Sequence, residues 1–364
     1  QLDYAGFYGN QSDKGALYRS SMNMRRAGVS FAGGVGDAWT YTFVMDISTD
    51  RNFVLSDYYA SYNGFANTQI SLGQINPAFS LENLFSSKWI PFMERSMANT
   101  AFGPGKGLGV SVDNWGDYYS FKASVTAPKK GSIVYTAAST TGVDAKDDKP
   151  IFSARLNLVP YNQDNKVVQL GLAGHYQSIN DYYIEFQTTP EMVGRAGIAG
   201  NSPLSTTTAA GARTVQAKDL STFAVDLAGQ YEQFTGEVEY QQANVKRPSG
   251  SNSLNFKGYH AQVAYVLTGE TRQYNVKSGS FGQITPADKK CGAWEVAARH
   301  SFINLVDDDI NGGSAHNTTL GVNYYPTEQI RVTANYIRSN QHTNTTANRS
   351  EEHTSDSSHR TISY

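Results

Sequence analysis

The sequence predicts an all-β protein: a transmembrane antiparallel β-barrel of sixteen strands, the last of which this chain lacks. Three observations carry that prediction. Many segments of about ten residues alternate apolar and polar side chains, as barrel strands do. Helical periodicity is nearly absent, and the connections alternate between short and long. Period-two alternation gives a strand one apolar and one wet face. Mean hydropathy is −0.46. No run of about 18 apolar residues exists, which excludes helical membrane spans. A barrel is not excluded, because its strands are apolar on one face only.

The candidate strands, in order, lie near 1–7, 22–33, 39–48, 57–62, 69–73, 107–114, 117–127, 151–161, 166–179, 220–231, 234–245, 256–268, 293–305, 317–325 and 330–339. In 151–161, Phe152, Ala154, Leu156 and Leu158 oppose Ser153, Arg155 and Asn157. In 220–231, Phe223, Val225 and Leu227 oppose Asp226 and Gln230. In 317–325, Leu320, Val322 and Tyr324 oppose Gly321 and Asn323. In 330–339, Val332, Ala334 and Tyr336 oppose Arg331, Thr333 and Asn335.

Short connections fall at 33–38, 64–67, 114–117, 162–165 and 326–329, and long ones at 74–106, 127–150, 180–219 and 306–316. The segment 269–292 breaks the rule, being long where a short turn is due. A soluble sandwich has no reason to sort loop lengths to opposite ends. An outer-membrane barrel does, with short periplasmic turns, long extracellular loops and an even number of strands. Both sheet edges must close in lipid, where an unpaired backbone group costs several kcal/mol. Fifteen candidates therefore leave one strand owed. A barrel of this width encloses an aqueous lumen. Tyr324, Tyr325, Tyr336, Tyr265, Tyr231 and Trp39 stand at or near strand ends, where amphipathic rings form interfacial girdles.

The barrel is assigned to residues 1–348, with a constriction loop at about 74–106. The final stretch 349–364, RSEEHTSDSSHRTISY, closely resembles the in-frame translation of a common sequencing-library adapter and reads as a non-native tail. It stands where the owed strand belongs. The opening run QLDYAGF is strand-like with no Met, so the start is expected upstream.

The 364 residues are 39% hydrophobic and 17% charged, with a formal charge of −2. Near-neutral balance implies no nucleic-acid partner. Cys291 is the only cysteine, so an intrachain disulfide and a Cys-based metal site are excluded. The seven His are scattered without ligand spacing, and no catalytic triad or carboxylate pair stands out, so no metal, cofactor or catalytic residue is assigned. DDDINGG at 307–313 begins like a calcium loop but has Thr318 where the closing Glu belongs, and reads as a plain acidic extracellular loop. FGPGKGLG at 102–109 lacks the phosphate-loop spacing.

The stretch 83–96, NLFSSKWIPFMERS, alternates like no strand and carries Pro91 at its middle. Phe85, Trp89, Phe92 and Met93 suit anchoring to a wall, and Lys88, Glu94 and Arg95 suit a water column. A loop of both kinds can fold inward and narrow a wide barrel. Lys88 and Arg95 then place positive charge at the constriction, where charge sets ion selectivity.

Several stretches resemble the phosphate-selective porins O and P of Gram-negative outer membranes. They are MRRAG (24–28), SSKW with ER following (86–89, 94–95), AQVAYVLTGETRQY (261–274), GAWE (292–295), DDDI (307–310) and TLGVNYY (319–325). The resemblance spans residue 1 to about 340, and the long segment after LTGE belongs to its pattern. It implies a sixteen-stranded, trimeric porin in lipid and lipopolysaccharide that passes small inorganic anions. Residue by residue, Arg25 and Arg26 match the paired arginines of the family's anion site and Asp57 its aspartate. Ser86 and Ser87 match its phosphate-contacting serines, and Arg95 matches a rung of its arginine ladder. Arg25 and Arg26 are adjacent, so on a strand they face opposite sides and one of them lines the pore. Arg suits phosphate through its planar fork, and Ser adds neutral donors.

The departures point to weak selectivity. Family lysines are replaced by Asn83, Asn275 and Thr285, and a tyrosine by Gly28. Glu185 and Glu191 stand where the family's fifth long loop is arginine-rich, with Arg195 and Arg213 nearby. The expected function is passive diffusion of small anions, phosphate or related oxyanions included, through a charged constriction. The alternatives are a general or cation-leaning porin and a non-transport outer-membrane or surface β-barrel.

Overall fold

Strands with two faces of opposite chemistry must put one face against each solvent, and the computed structural model shows which goes where. It describes residues 2–11, 15–24, 27–47, 53–127, 133–136, 149–191, 204–207, 215–342 and 355–363. Sixteen wall positions follow in chain order. They are β1 (Leu2–Gln11), β2 (Gly15–Met24 and Ala27–Val35), β3 (Trp39–Ile47), β4 (Phe53–Phe65), β5 (Thr68–Ile75), β6 (Gly107–Trp115), β7 (Tyr119–Thr126) and β8 (Ile151–Gln163). Then come β9 (Lys166–Thr188), β10 (Val215–Tyr231), β11 (Phe234–Lys246), β12 (Leu254–Val266), β13 (Ala293–Asp307), β14 (Ile310–Thr327), β15 (Ile330–His342) and β16 (Ser355–Ser363). Neighbours pair antiparallel, and β16 pairs back onto β1, so the ring of pairings closes. Each of the fifteen predicted segments coincides with a wall strand.

The apolar faces point outward. Phe152, Leu156 and Leu158 of β8 are exposed while Ser153, Arg155 and Asn157 are buried. On β10, Phe223, Val225 and Leu227 are exposed and Asp226 and Gln230 buried. A soluble protein would reverse this arrangement; an apolar belt around a polar interior is what lipid demands. Leu320 of β14 is 53% exposed on that belt. Leu320→Arg is therefore expected to cost about 2–4 kcal/mol if it sits near the bilayer midplane. Denaturant unfolding in lipid vesicles measures it, and a cost near zero would place Leu320 away from lipid.

Tight turns carry the residues they need. The β8–β9 turn has Asp164 at φ 49° and Asn165 at φ 61°. Two left-handed residues make the tight hairpin turn that matches strand twist, and Asp and Asn tolerate that region best after Gly.

Four expectations are corrected. The sixteenth strand is not absent: Ser355–Ser363 occupies its place, paired from Gln341↔Ser355 to Thr333↔Ser363 on one side and from Gly9↔Ser357 to Asp3↔Ser363 on the other. Backbone groups alone make these bonds, so the segment needs no apolar face to close the ladder. The 306–316 connection is not a long loop. Asp308 and Asp309 form a tight turn, with Asp308 at φ 49°, and β13 and β14 run up to it. Tyr325 joins no girdle; it is 6% exposed and donates its hydroxyl to Glu295 at 2.9 Å inside the barrel. Tyr231, Tyr265, Tyr336 and Trp39 do point outward, and Tyr324 stacks on Trp294 at 4.5 Å. Finally, 83–96 is not free of helix: its first two residues end α1 (Leu81–Leu84), and 85–96 lies between α1 and α2 (Met97–Phe102) within the long connection.

An apolar core lies inside the barrel at its loop end. Phe79, Met97, Ala101 and Phe102 from the 76–106 connection pack against Ile184 and Phe186 of β9, Val245 of β11, Phe256 of β12 and Leu305 of β13. The inner wall from β9 to β14 is thus covered at that end.

Candidate functional site

The infolded loop is built from the caps inward. Ser80 caps α1 by accepting from the Asn83 amide at 2.9 Å, and Ser96 caps α2 by accepting from the Asn99 amide at 3.3 Å. Between the helices the chain lays its apolar side on the wall. Phe85, Phe92 and Met93 are buried, as anchoring requires, and Trp89 is half-buried. Phe85 stacks on Phe281 with ring centroids 6.0 Å apart. Phe281 belongs to the 267–292 connection, which therefore also enters the barrel and packs with Leu81 and Ile90.

Arginines of the wall and of the 267–292 connection then bind the loop's carbonyls. Arg155 donates to Phe79 at 3.0 Å, Arg331 to Ile90 at 2.6 Å, and Arg272 to Trp89 at 2.8 Å. Asn323 donates to the Pro91 carbonyl at 2.8 Å. A buried loop must satisfy its backbone somewhere, and here the barrel wall supplies donors that a helix or sheet would otherwise supply.

The central node is Arg299 on β13. Its guanidinium lies 3.1 Å from Glu82 of the loop and 2.6 Å from Glu191, and it donates to the Glu94 carbonyl at 3.0 Å. It also sits over the Phe92 ring at 4.5 Å. Burial pushes the Glu82 carboxyl up, but His260, Arg299 and the bonds from Ser96 outweigh it and hold Glu82 below the ordinary carboxylate range.

The predicted site residues fall as follows. Arg25 and Arg26 lie outside the described residues, as do Arg195 and Arg213. Asp57, on β4, is bound by Lys106 at 2.6 Å, and Ser56 donates to the same carboxylate at 2.9 Å. Ser86, Ser87 and Lys88 share one turn, in which the Ser86 carbonyl accepts from the Trp89 amide at 2.9 Å. The serines are half-buried and Lys88 is exposed. Arg95 turns back into its own loop, donating to the carbonyls of Glu82 at 2.9 Å and Phe85 at 3.0 Å. The structure therefore joins Ser86, Ser87 and Lys88, sets Asp57 with Lys106, and fixes Arg95 beneath the turn.

Glu185 and Glu191 are both tied down, Glu191 by a buried cation and Glu185 by hydroxyls. Glu191 is buried, paired with Arg299 and bonded to Ser301 and Thr319. Glu185 accepts from Ser205 at 2.6 Å and from Thr207. At 307–309, Arg247 holds Asp309 at 3.0 Å and the Asn255 amide holds Asp307 at 2.6 Å. Among the described residues no acidic or His cluster has metal-site geometry.

Sequence reasoning missed three lysines. Lys106 stands at the loop's root, Lys122 of β7 pairs with Asp113 of β6 at 2.9 Å, and Lys277 sits over Trp115 at 4.3 Å. Asp113 and Lys122 are direct cross-strand partners, so inward alternation on both strands was the available signal. Lys277 rides on a turn closed by Gly279 at φ 62°, where a Cβ would stand 1.7 Å from the Asn157 amide nitrogen. Only glycine lets that turn press so close to β8. Burial, aided by Lys122 and opposed by Asp113, lowers the Lys277 ammonium below the ordinary lysine value. Among the described residues, neither Lys88 nor Lys277 has a carboxylate within ion-pair distance.

Comparison with known proteins agrees with this geometry. The family described as phosphate-selective porin O and P matches residues 1–362. Porin O of Pseudomonas aeruginosa is 28% identical over 367 aligned positions, covering 93% of this chain and 81% of that one. Among solved structures, the anion-selective porin from Comamonas acidovorans superposes with TM-score 0.56 at 13% identity, covering 100% of this chain and 97% of the other. The trimer form of OmpT from Vibrio cholerae gives 0.54 at 12% identity, covering 100% and 98%.

Proposed function

We propose that this chain, which belongs to the phosphate-selective porin O and P family, forms trimers in the bacterial outer membrane and passes small anions by electrodiffusion. It is a channel, and its apolar belt faces lipid while its loop-end rim meets lipopolysaccharide. One observation carries the reading. Asp57 and Asp113 are each held by a lysine, whereas Lys88 and Lys277 are not held by any described carboxylate. Near low-dielectric walls such charges act more strongly than in bulk water, so the lumen concentrates anions.

Lys88 supplies the charge at the loop turn, and the Ser86 and Ser87 hydroxyls add neutral donors for an oxyanion. Arg95 holds that turn in place through the two carbonyls it bridges. Asp57, neutralised by Lys106, offers an acceptor for a protonated phosphate oxygen. Whichever of Arg25 and Arg26 faces the lumen completes the anion site on the strength of the matched motif. With Asn83, Asn275 and Thr285 neutral, phosphate is held weakly, which suits an ion that must leave as readily as it enters. The cation-leaning reading rests on the missing lysines and on Glu185 and Glu191; of the two acids, Glu191 is paired with Arg299 and Glu185 is held by the Ser205 and Thr207 hydroxyls.

Phosphate titration of chloride current in a planar bilayer tests this. Partial block is expected, several-fold tighter in Asn83→Lys, whose new ammonium joins the same loop. Equal block in both proteins, or none in either, contradicts it.

A further inference from the structure

The lumen widens at its turn end into a cavity of about 920 Å³. Trp89 of the constriction loop, the 116–118 turn and the 273–285 segment bound it. Its volume suits an organic molecule, since small-molecule sites span about 300–1,000 Å³. Its chemistry does not suit a bare multivalent oxyanion. Lys277 is its one cationic side chain, and Asp117 stands on the exposed turn. The polar lining is otherwise neutral and includes Asn162, Gln273, Asn275, Gln283 and Thr285. Gln273, Asn275 and Thr285 are exposed to the cavity, and none of them faces a charged partner. Trp115 holds Lys277 on its ring face, which fixes where the charge is presented. Tyr118, 64% exposed, offers a further apolar face.

We infer that this vestibule is a transient binding site for hydroxylated organic monoanions, sugar acids being the simplest. Lys277 takes the single negative charge. The amides and hydroxyls exchange hydrogen bonds with the ligand's hydroxyls, and the aromatic rims pack on its carbon skeleton. A site lined with hydrogen-bonding groups disfavours an analogue that lacks them, because its own polar groups are then left without partners. The inference rests on the anion-porin reading and adds a substrate class to it.

The test uses the whole protein in a planar bilayer, with gluconate and hexanoate as probes of equal charge and similar length. Gluconate is expected to half-block the chloride current at about one-tenth the concentration of hexanoate, the ratio for two modest net hydrogen bonds. Lys277→Gln should raise the gluconate half-block concentration several-fold, and Gln283→Leu should lower the gluconate-to-hexanoate preference. Equal block by both probes overturns the inference, as does gluconate block indifferent to Lys277→Gln. The reversal potential in a KCl gradient, read in the same membranes, separates the two claims. An anion-side potential with equal block removes only the vestibule site, and a cation-side potential removes the anion reading beneath it.

Discussion

Arg299→Met should widen the pore and blunt its selectivity while leaving the barrel folded. Arg299 joins Glu82 at 3.1 Å and Glu191 at 2.6 Å, both buried, and the Glu94 carbonyl at 3.0 Å. Its loss leaves two carboxylates in low dielectric without their cation, and breaking such a buried pair costs about 3–5 kcal/mol. The sixteen-strand ladder does not depend on that node, but the loop does. Strain is therefore relieved by releasing the loop from β13. Single-channel conductance should rise, and the folded band in heat-modifiable electrophoresis should persist. Arg299→Lys keeps the charge but loses the two-pronged geometry, so its conductance should fall between the two. Unchanged conductance in Arg299→Met would mean that the carbonyl bonds from Arg155, Arg272 and Arg331 suffice to hold the loop.

Removing the two unheld lysines should have the next largest effect. A unit charge at about 4 Å is worth roughly 1 kcal/mol even in bulk water, close to fivefold in local ion concentration. Lys88→Gln with Lys277→Gln should therefore lower the anion-to-cation permeability ratio by about an order of magnitude at low salt. The change should shrink at 1 M KCl, where the screening length is about 3 Å. Lys277 adds a pH dependence. Its ammonium is lowered by burial, so it sheds its proton below the usual lysine value of about 10.4. Deprotonation removes positive charge, so anion preference should decline as pH rises from neutral toward that value. The decline should be smaller in Lys277→Gln. A permeability ratio indifferent to both substitutions would move the selectivity to residues elsewhere.

Much of the fold was legible because a barrel strand exposes its plan in every second residue. Phe152 to Leu158 announced both the strand and its two faces, and the alternation of short and long connections announced the class. What escaped was set by partners distant in sequence. Ser355–Ser363 has no apolar face, and its strand comes from the open edges of β1 and β15. Asp307 to Asp309 looked like an acidic loop; the apolar contacts of Leu305 and Ile310 pull the chain into a hairpin there. Tyr325 looked like a girdle residue, but strand register turned it toward Glu295.

The site was legible in part. The mixture of Phe85, Phe92, Lys88 and Arg95 marked a loop that folds inward. It did not reveal that Arg95 would spend its guanidinium on the loop's own carbonyls, or that wall arginines would take the rest. Glu185 and Glu191 read as negative charge in the pore, because a sequence does not show that the buried Arg299 waits opposite Glu191 or that the Ser205 and Thr207 hydroxyls reach Glu185. Lys277 went unnoticed for the converse reason: among the described residues it has no carboxylate partner, and the ring of Trp115 positions it.

Acids paired within the wall and its loops leave Lys88 and Lys277 facing the lumen, and on this the anion preference rests. It is tested by the reversal potential of the unmodified protein in a planar bilayer, under a tenfold KCl gradient at low total salt. A potential on the chloride side is expected. A potential on the potassium side, or one indistinguishable from zero, would overturn the anion reading.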